Sequence, residues 1–242
     1  MAATMRTHIG NVRKQNEDAA WLDERRGVFA VADGMGGHLA GEVASRIAID
    51  AVRDMAASDS GAGIAPLQEA VHQAHEAILA HARKHPECSG MGTTLSVLWQ
   101  GGRYVYIAHV GDSRIYRMRE GKLEQITQDH SLVEELVRAR LITRDEARVH
   151  PRRNIITRAL GTEGDNSPDL LAVDTRKGDV WLLCTDGLSS MVDDEQIASA
   201  LAGGDVSRAA DALIERALCA GGRDNVTLII YRDEEETAWN RD

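Results

Sequence analysis

Four apolar segments of this chain each carry an aspartate at one end. The first three end at Asp33, Asp112 and Asp186, and Asp224 stands just before the fourth, NVTLIIY. Short apolar runs bounded by turn residues are typical of buried strands. Because acids at strand ends can converge, the sequence predicts a cluster of carboxylates contributed by distant parts of the chain.

Two of these aspartates are followed by glycine, in Asp33-Gly34 and Asp186-Gly187. An Asp-Gly pair ordinarily indicates a two-residue turn between paired strands. Here a helix-like stretch follows each pair, so the hairpin interpretation fails. Gly34 has no Cβ, which lets the backbone approach a ligand closely and makes its carbonyl oxygen a candidate cation donor.

Carboxylates a few ångströms apart raise one another's pKa, and a divalent cation removes that conflict. The candidate ligands are all oxygens, with no histidine or cysteine at matching positions, which favours Mg²⁺ or Mn²⁺ over Zn²⁺. Taken one at a time, each aspartate is equally consistent with a solvated turn residue, because aspartate is common in turns. The metal interpretation depends on their joint recurrence.

The charge and apolar patterning exclude several classes of function. A net charge of −10 at pH 7, with no long basic run, argues against a nucleic-acid partner. No run of about eighteen apolar residues occurs, and the N-terminus lacks the apolar core of a signal peptide, so we expect no membrane association and a cytoplasmic location. Cys88, Cys184 and Cys219 have no metal-like spacing, and Cys184 is expected in the core.

The order of strand and helix patterns predicts the fold class. Two short strands precede two helical segments, at about residues 39–55 and from Pro66 onward, and residues 92–127 are typical of a four-stranded meander. Gly101-Gly102 and Glu120-Gly121 are predicted hairpin turns. Neighbouring strands separated by helix pairs favour an α+β fold, a four-layer α-β-β-α sandwich with two antiparallel sheets flanked by helix pairs.

No low-complexity linker divides the 242 residues. We therefore expect one domain over residues 1–233 and a disordered acidic tail at 234–242. The basic segment 141–154 fits neither strand nor helix periodicity, and we interpret it as a mobile flap.

Eight short motifs follow one another along the chain: VRKQNED, VADGMGGH, GMGTT, VGDSR, QDHS, ITRALG, CTDGL and GRDNVT. Their order and approximate spacing resemble those of the metal-dependent protein phosphatases of the PPM class, also called type 2C serine/threonine phosphatases. The DGMGGH form is similar to the bacterial branch. Each motif is weak alone, but the ordered set covers nearly the whole chain.

The resemblance implies a pair of Mn²⁺ or Mg²⁺ ions. Asp33 would bridge them, the Gly34 carbonyl would bind one ion, and Asp186 and Asp224 would complete the shell of the other. Asp112 would contribute with Asp186 to a weaker third site.

Four further residues receive roles from the same resemblance. Glu17 and Asp18 would act through metal-bound waters, and Asn225 would hold its loop in place. Arg13 and Asp33 would be the catalytic residues, with the planar fork of Arg13 gripping phosphate oxygens. On the sequence segment alone, an arginine followed by acids, such as Arg13, is usually a surface ion pair.

The implied activity is hydrolysis of phosphoserine and phosphothreonine on proteins by a water that bridges the two metals, with Arg13 opposing the charge of the phosphoryl group. Many eukaryotic members carry a histidine two residues after the bridging aspartate, where this chain has Met35. His38 lies nearby and is expected to be a structural or second-layer residue, which leaves a metal-bound water as an equally open proton donor.

The implied partners are phosphorylated proteins and a cognate serine/threonine kinase, including kinases that control type VI secretion, and we expect a monomer. Two alternatives stay open: a pseudophosphatase that uses the fold for binding, and a two-metal phosphodiesterase or nuclease. His81 and His85 are expected on a solvated helix face. His109 is expected to be a hydrogen-bonded sheet residue.

Overall fold

The computed structural model describes residues 2–36, 40–58 and 61–234. In chain order the strands are β1 (Ala2–His8), β2 (Asp18–Asp23), β3 (Val28–Met35), β4 (Gly92–Thr93), β5 (Leu95–Gly101), β6 (Tyr104–Val110), β7 (Arg114–Arg119), β8 (Lys122–Gln125), β9 (Asp169–Asp174), β10 (Val180–Cys184) and β11 (Val226–Arg232). The helices are α1 (Ala40–Ala57), α2 (Ile64–Lys84), α3 (Leu132–Arg138), α4 (Arg144–Val149), α5 (Asp186–Ser189), α6 (Asp194–Leu201) and α7 (Val206–Cys219).

The strands form two antiparallel sheets. One has the order β1-β11-β10-β7-β8, and the other has the order β2-β3-β5-β6-β9 with β4 paired to β3. Helices α1 and α2 cover the second sheet, whereas α6 and α7 cover the first. The predicted four-layer α-β-β-α sandwich is confirmed.

Successive side chains of a strand point to opposite faces of its sheet, so one set of apolar side chains lies between the two sheets. Phe29 stacks on Tyr231 across this layer with ring centroids 4.6 Å apart, and Trp181 is fully buried beside them. The opposite faces of the same strands pack against the helix pairs. Each strand of the central region is therefore buried on both faces, which explains runs such as VFAVA and VWLLC that are apolar throughout.

The predicted meander over residues 92–127 is wrong, although its two hairpins are right. The first hairpin turn lies at Gly102-Arg103, one residue later than predicted, and the second lies at Glu120-Gly121, where Glu120 and Gly121 have φ of 50° and 80°. Strand β6 pairs with β9 in one sheet, and β7 pairs with β10 in the other. Between them the chain crosses from sheet to sheet, and Asp112 lies at this crossing.

The predicted helices begin within a few residues of the observed ones. Helix α2 begins at Ile64, two residues before Pro66. The segment predicted as a flap contains α4, whose six residues are too few to display a helical period, and a capping box of Thr143 and Glu146 begins it. The limits of the domain, the mobility of the flap and the disorder of the tail stay predictions, and residues 235–242 lie outside the described part of the chain.

Two smaller expectations can be compared with the fold. Cys184 is fully buried, as expected for a core residue, and burial raises the pKa of its thiol to about 12. Within the described ranges, no helix is both long and apolar enough to cross a bilayer.

Candidate metal centre

The β2–β3 hairpin places two acids of the cluster side by side. Asp18 and Asp33 are register partners at the open end of this pair. The backbone N–H of Asp33 donates to the Thr94 hydroxyl at 2.9 Å, and the Thr93 hydroxyl donates to the Asp33 carbonyl at 2.9 Å. These contacts fix the backbone at Asp33, so its carboxyl projects from a rigid strand end.

Gly34 is required by its protein neighbours. Its N–H donates to the Glu17 carbonyl at 3.2 Å, and a Cβ on Gly34 would overlap the carbonyl oxygens of Gly41 and Glu17. Ser45 also donates to the Glu17 carbonyl, at 2.6 Å. The sequence interpretation attributed the missing Cβ to ligand approach, whereas the structure shows that it admits the first turn of α1.

Asp186 reaches the same place from the other sheet. It is the first residue of α5, directly after β10. The preceding Thr185 donates its hydroxyl to Oδ2 of Asp18 at 2.9 Å, which joins the two sheets at the site. A Cβ on Gly187 would overlap the carbonyl oxygen of Asn225, so the second Asp-Gly pair also marks a close backbone approach.

Asn225 ties the segment between β1 and β2 to β11. Its side-chain amide donates to the carbonyls of Ile9 and Gln15 at 2.9 and 2.8 Å, and its Oδ1 accepts from the N–H of Glu17 at 2.8 Å. Asn225 is almost completely buried. These contacts join the two segments at the site, and the role of Asn225 in function stays a prediction.

Arg13 lies at the rim of the cluster. One Nη donates to Oδ2 of Asp224 at 2.6 Å, and the arginine side chain is 48% exposed. This hydrogen bond, together with the charges of Asp224, Glu17 and Asp33, raises the pKa of the Arg13 guanidinium. Arg13 is therefore paired with an acid, as the ion-pair interpretation expected. This pair holds a permanent cation directly beside the acids.

The carboxyls of the cluster are closely surrounded by protein. Burial, followed by repulsion from neighbouring aspartates, raises the pKa of Asp33 and Asp112 well above the ordinary value. Burial is also the main cause that raises the pKa of Asp18 to about 7 and of Asp186 to about 6. The place where these four carboxyls meet, named here the recess, therefore forces four acidic groups together and penalises their charged forms.

The cluster meets a simple test of fit to hard cations. Oδ1 of Asp18 and Oδ1 of Asp186 are buried and accept no hydrogen bond from the described part of the chain. Buried carboxylate oxygens that lack a donor are costly, and an oxygen-seeking cation satisfies them. The residues present fit Mg²⁺ or Mn²⁺.

Within the ranges 2–36, 40–58 and 61–234, no group of three or more His, Cys, Asp or Glu residues is arranged to hold a metal ion. Mg²⁺ does not need three such side chains, because it keeps several waters and is bound through one or two carboxylates. Of the sequence-predicted residues, His38 lies outside the described residues. The fold brings the other nine to one end of the sandwich: Arg13, Glu17, Asp18, Asp33, Gly34, Asp112, Asp186, Asp224 and Asn225.

A supporting layer behind Asp112 was not assigned from the sequence. His130 holds Gly111 twice, because its backbone N–H donates to the Gly111 carbonyl at 2.8 Å and its Nδ1 accepts from the Gly111 N–H at 3.1 Å. Arg114 makes a bidentate contact with Asp129, with N···O distances of 2.7 to 3.0 Å. The motifs VGDSR and QDHS contain all of these residues. The presence of both motifs in the sequence was the signal from which contact between them could have been predicted.

Two further histidine expectations can be compared with the structure. His109 is fully buried in β6, with its ring nitrogens 2.9 Å from the Ser96 hydroxyl and 3.1 Å from the Gln128 carbonyl, as expected for a hydrogen-bonded sheet residue. His85 is exposed at the C-cap of α2, whereas His81 is half-buried, and their rings stack with centroids 4.3 Å apart.

Fold and site together define a carboxylate-lined recess for hard cations at the end of a two-sheet sandwich. The family model described as Protein phosphatase 2C matches residues 6–218. This chain belongs to the protein phosphatase 2C family.

Two relatives illustrate the match. The serine/threonine protein phosphatase PstP of Mycobacterium tuberculosis is 44% identical over 226 residues, which cover 93% of this chain and 43% of PstP. The chain thus spans less than half the length of that relative. The serine/threonine phosphatase Stp of Listeria monocytogenes is 39% identical over 243 residues and matches over 96% of both chains.

Two solved structures are similar to this one throughout. The catalytic domain of PstP in complex with two manganese ions superposes with a TM-score of 0.89 at 39% identity, covering 97% of this chain and 98% of that one. PppA, described as a key regulatory component of T6SS in Pseudomonas aeruginosa, superposes with a TM-score of 0.84 at 34% identity, covering 96% and 97%.

Proposed function

We propose that this chain is a metal-dependent phosphatase that hydrolyses phosphoserine and phosphothreonine on proteins. The observation that carries the proposal is the recess where Asp18, Asp33, Asp112 and Asp186 meet next to the permanent cation of Arg13. Carboxylates favour divalent cations, and the arginine adds a group that contacts an anionic substrate. Family membership supports a phosphoryl group as that substrate.

The residues suited to hold a pair of Mn²⁺ or Mg²⁺ ions are Asp33, the Gly34 carbonyl, Asp186 and Asp224. After burial, the charge of Asp186 is the next largest cause that raises the pKa of Asp112, so the two carboxyls lie close together. Asp112 is therefore suited to a weaker third site. When bound, such ions acidify a water molecule and neutralise negative charge on the phosphoryl group. The PstP structure with two manganese ions supports this number and type of ion.

Arg13 is suited to orient the phosphoryl group. Its hydrogen bond to Asp224 uses one Nη and aligns the guanidinium at the rim, while the exposed part of the planar fork faces solvent. Such a fork binds two phosphate oxygens at once, which a lysine ammonium does not do. Because the side chain is already held by Asp224, little conformational freedom is lost when the substrate binds.

The surrounding hydroxyls keep the acids in place. Thr185 fixes Oδ2 of Asp18, and Thr93 and Thr94 fix the backbone at Asp33. Phosphoryl transfer depends mainly on positioning and electrostatic stabilisation. Rigid placement of the carboxyls on strand ends therefore serves the reaction directly, since no reorganisation is needed at the moment of transfer.

The test is phosphate release from a phosphothreonine peptide. We expect turnover with added Mn²⁺ or Mg²⁺, none with excess chelator, and none in Asp33→Asn. Asp54→Asn is the matched control, because it makes the same chemical change at an exposed position of α1. Turnover that persists in chelator, or full activity of Asp33→Asn, contradicts the proposal.

We further propose that a serine/threonine kinase makes the phosphorylated substrates. The similarity to PppA supports examining the proteins of type VI secretion first. Comparing the phosphoproteomes of the parent and deletion strains tests this, because substrates gain phosphorylation when the enzyme is absent. The cytoplasmic location and the monomeric state stay predictions.

A further inference from the structure

An unpaired set of arginines lies in a segment whose flanking residues contact the proposed catalytic recess. Residues 138–154 contain six arginines and only two acids in a chain whose net charge is −10. Arg144 pairs with Glu134 at 3.5 Å. The other five are exposed and make no side-chain hydrogen bond or ion pair with the described residues; these five, named here the arginine surface, are Arg138, Arg140, Arg148, Arg152 and Arg153.

In the described part of the chain, neither of the two acids of this segment makes an ion pair with the arginine surface. The Glu146 carboxyl is occupied at the start of α4, where it accepts from the N–H and the hydroxyl of Thr143 at 2.7 and 3.0 Å. Most arginines elsewhere in the described chain contact an acid, as Arg114, Arg117 and Arg119 do. The local excess of positive charge is therefore a feature of this segment.

Arg140 occupies a backbone position that favours glycine. Its φ is +58°, directly after the C-cap of α3. The N–H of Arg140 donates to the Val137 carbonyl and that of Leu141 to the Leu136 carbonyl, both at 2.9 Å, which is the pattern that ends many helices with glycine. A side chain in this conformation is strained, and retained strain at a surface arginine indicates a functional use of the side chain.

Both ends of the segment are attached to the proposed catalytic centre. At one end His130 holds Gly111, the neighbour of Asp112. At the other end Thr157 donates to the His130 carbonyl at 2.8 Å, and Leu160 exchanges hydrogen bonds of 2.9 and 3.1 Å with Thr93. The chain on both sides of the arginine surface is thus held at the proposed catalytic centre.

From this placement we propose that the arginine surface binds acidic side chains flanking the phosphorylated residue, so that the enzyme prefers phosphoprotein segments rich in aspartate and glutamate. The inference rests on the proposed phosphatase function and names the substrate class within it. Helix α3 has seven residues and a length of about 10 Å, and it separates Arg140 from His130, which precedes the start of the helix. An extended peptide advances about 3.3 Å per residue, so the preferred acids lie roughly three to five residues from the phosphoresidue.

The inference is tested with matched phosphothreonine peptides and with p-nitrophenyl phosphate as a small substrate. One peptide carries glutamates three to five residues from the phosphothreonine, a second carries them eight to ten residues away, and a third has glutamine in their place. We expect the first to have the highest kcat/KM through a lower KM. We also expect this advantage to disappear at about 0.5 M salt, where exposed charges are screened.

Arg140→Gly separates this role from a structural one. Glycine relieves the strained conformation, so we expect an unchanged or higher Tm, together with a roughly two- to fivefold loss of kcat/KM on the near-glutamate peptide, the size of one exposed ion pair. Hydrolysis of p-nitrophenyl phosphate is expected to stay unchanged. Combined glutamine substitutions at Arg148, Arg152 and Arg153 are expected to enlarge the loss on the same peptide.

Arg25→Gln is the matched control, because Arg25 is exposed in the β2–β3 turn, at the opposite end of strands about 20 Å long from Asp18. Equal kcat/KM for all three peptides, or equal losses in Arg25→Gln and Arg140→Gly, overturns the inference. Single-stranded DNA that competes at the arginine surface, with no discrimination among peptides, also overturns it. Absence of any Mn²⁺-dependent hydrolysis, even of p-nitrophenyl phosphate, contradicts the proposed function itself.

Discussion

Replacing one buried acid should make the ion-free protein more stable. Asp186→Asn keeps the shape of the side chain and removes one negative charge from the recess. In the folded chain burial and the charge of Asp224 raise the pKa of Asp186 from 3.8 to about 6. The folded state therefore holds this proton more tightly than the unfolded state does.

The expected magnitude follows from this difference. Stability associated with Asp186 is fully present below pH 3.8 and is lost as the pH rises through 6. Each pKa unit corresponds to about 1.4 kcal/mol, so ionising Asp186 costs about 3 kcal/mol at pH 8, and solvent at the mouth of the recess reduces this figure. For a chain of this size 1 kcal/mol shifts the Tm by about 2 to 4 °C, which predicts an increase of several degrees.

The assay is urea unfolding with excess chelator, from pH 4 to pH 8. We expect Asp186→Asn to have the higher free energy of unfolding at pH 8, with the difference vanishing near pH 4. Added Mn²⁺ should reverse the order, because the parent gains more stability from an ion that binds only the folded state. Asp54→Asn, exposed on α1, should differ from the parent by less than about 0.5 kcal/mol.

Two results would contradict the proposed charge repulsion in the recess. One is a variant that is less stable than the parent in chelator at pH 8. The other is a stability difference that does not change with pH, because charge repulsion then has no part in it.

Two further predictions concern the packing around the recess and the acid sensitivity of the fold. Gly34→Ala should lose activity and unfold several degrees lower in calorimetry, since its Cβ would overlap the Gly41 and Glu17 carbonyl oxygens, whereas Gly121→Ala, in an open turn, should keep its activity. Burial lowers the pKa of His109 to about 4, so the parent should lose about 3 kcal/mol as the pH falls from 6.5 to 4; His109→Gln should flatten this slope in acid unfolding, and an unchanged slope would contradict the assignment.

The position of the acids near strand ends could be predicted because such ends are visible in the sequence. An apolar run that stops at Asp33 or Asp186 marks both a strand and the place where its polar end emerges. Asp112 was found in the same way, although the surrounding prediction of a meander was wrong. Local periodicity identifies β6 and β7 as strands, but it contains no information on which sheet each one joins.

Other features depend on tertiary contacts that no local pattern encodes. Gly34 is needed because α1 returns to touch it, and the sequence showed only the glycine. His130 and Gly111 lie 19 residues apart and meet only after the chain changes sheets. Arg13 illustrates the limit best, because the structure shows its ion pair with Asp224, whereas its role as a phosphate ligand stays a prediction.

The metal centre is tested most directly by diffraction from crystals grown with Mn²⁺, collected at a wavelength where manganese scatters anomalously. We expect anomalous peaks in the recess bounded by Asp33, Asp186 and Asp224, within ligand distance of the Gly34 carbonyl. A map without such peaks, or with manganese bound only at other surfaces of the protein, would contradict the proposed metal centre.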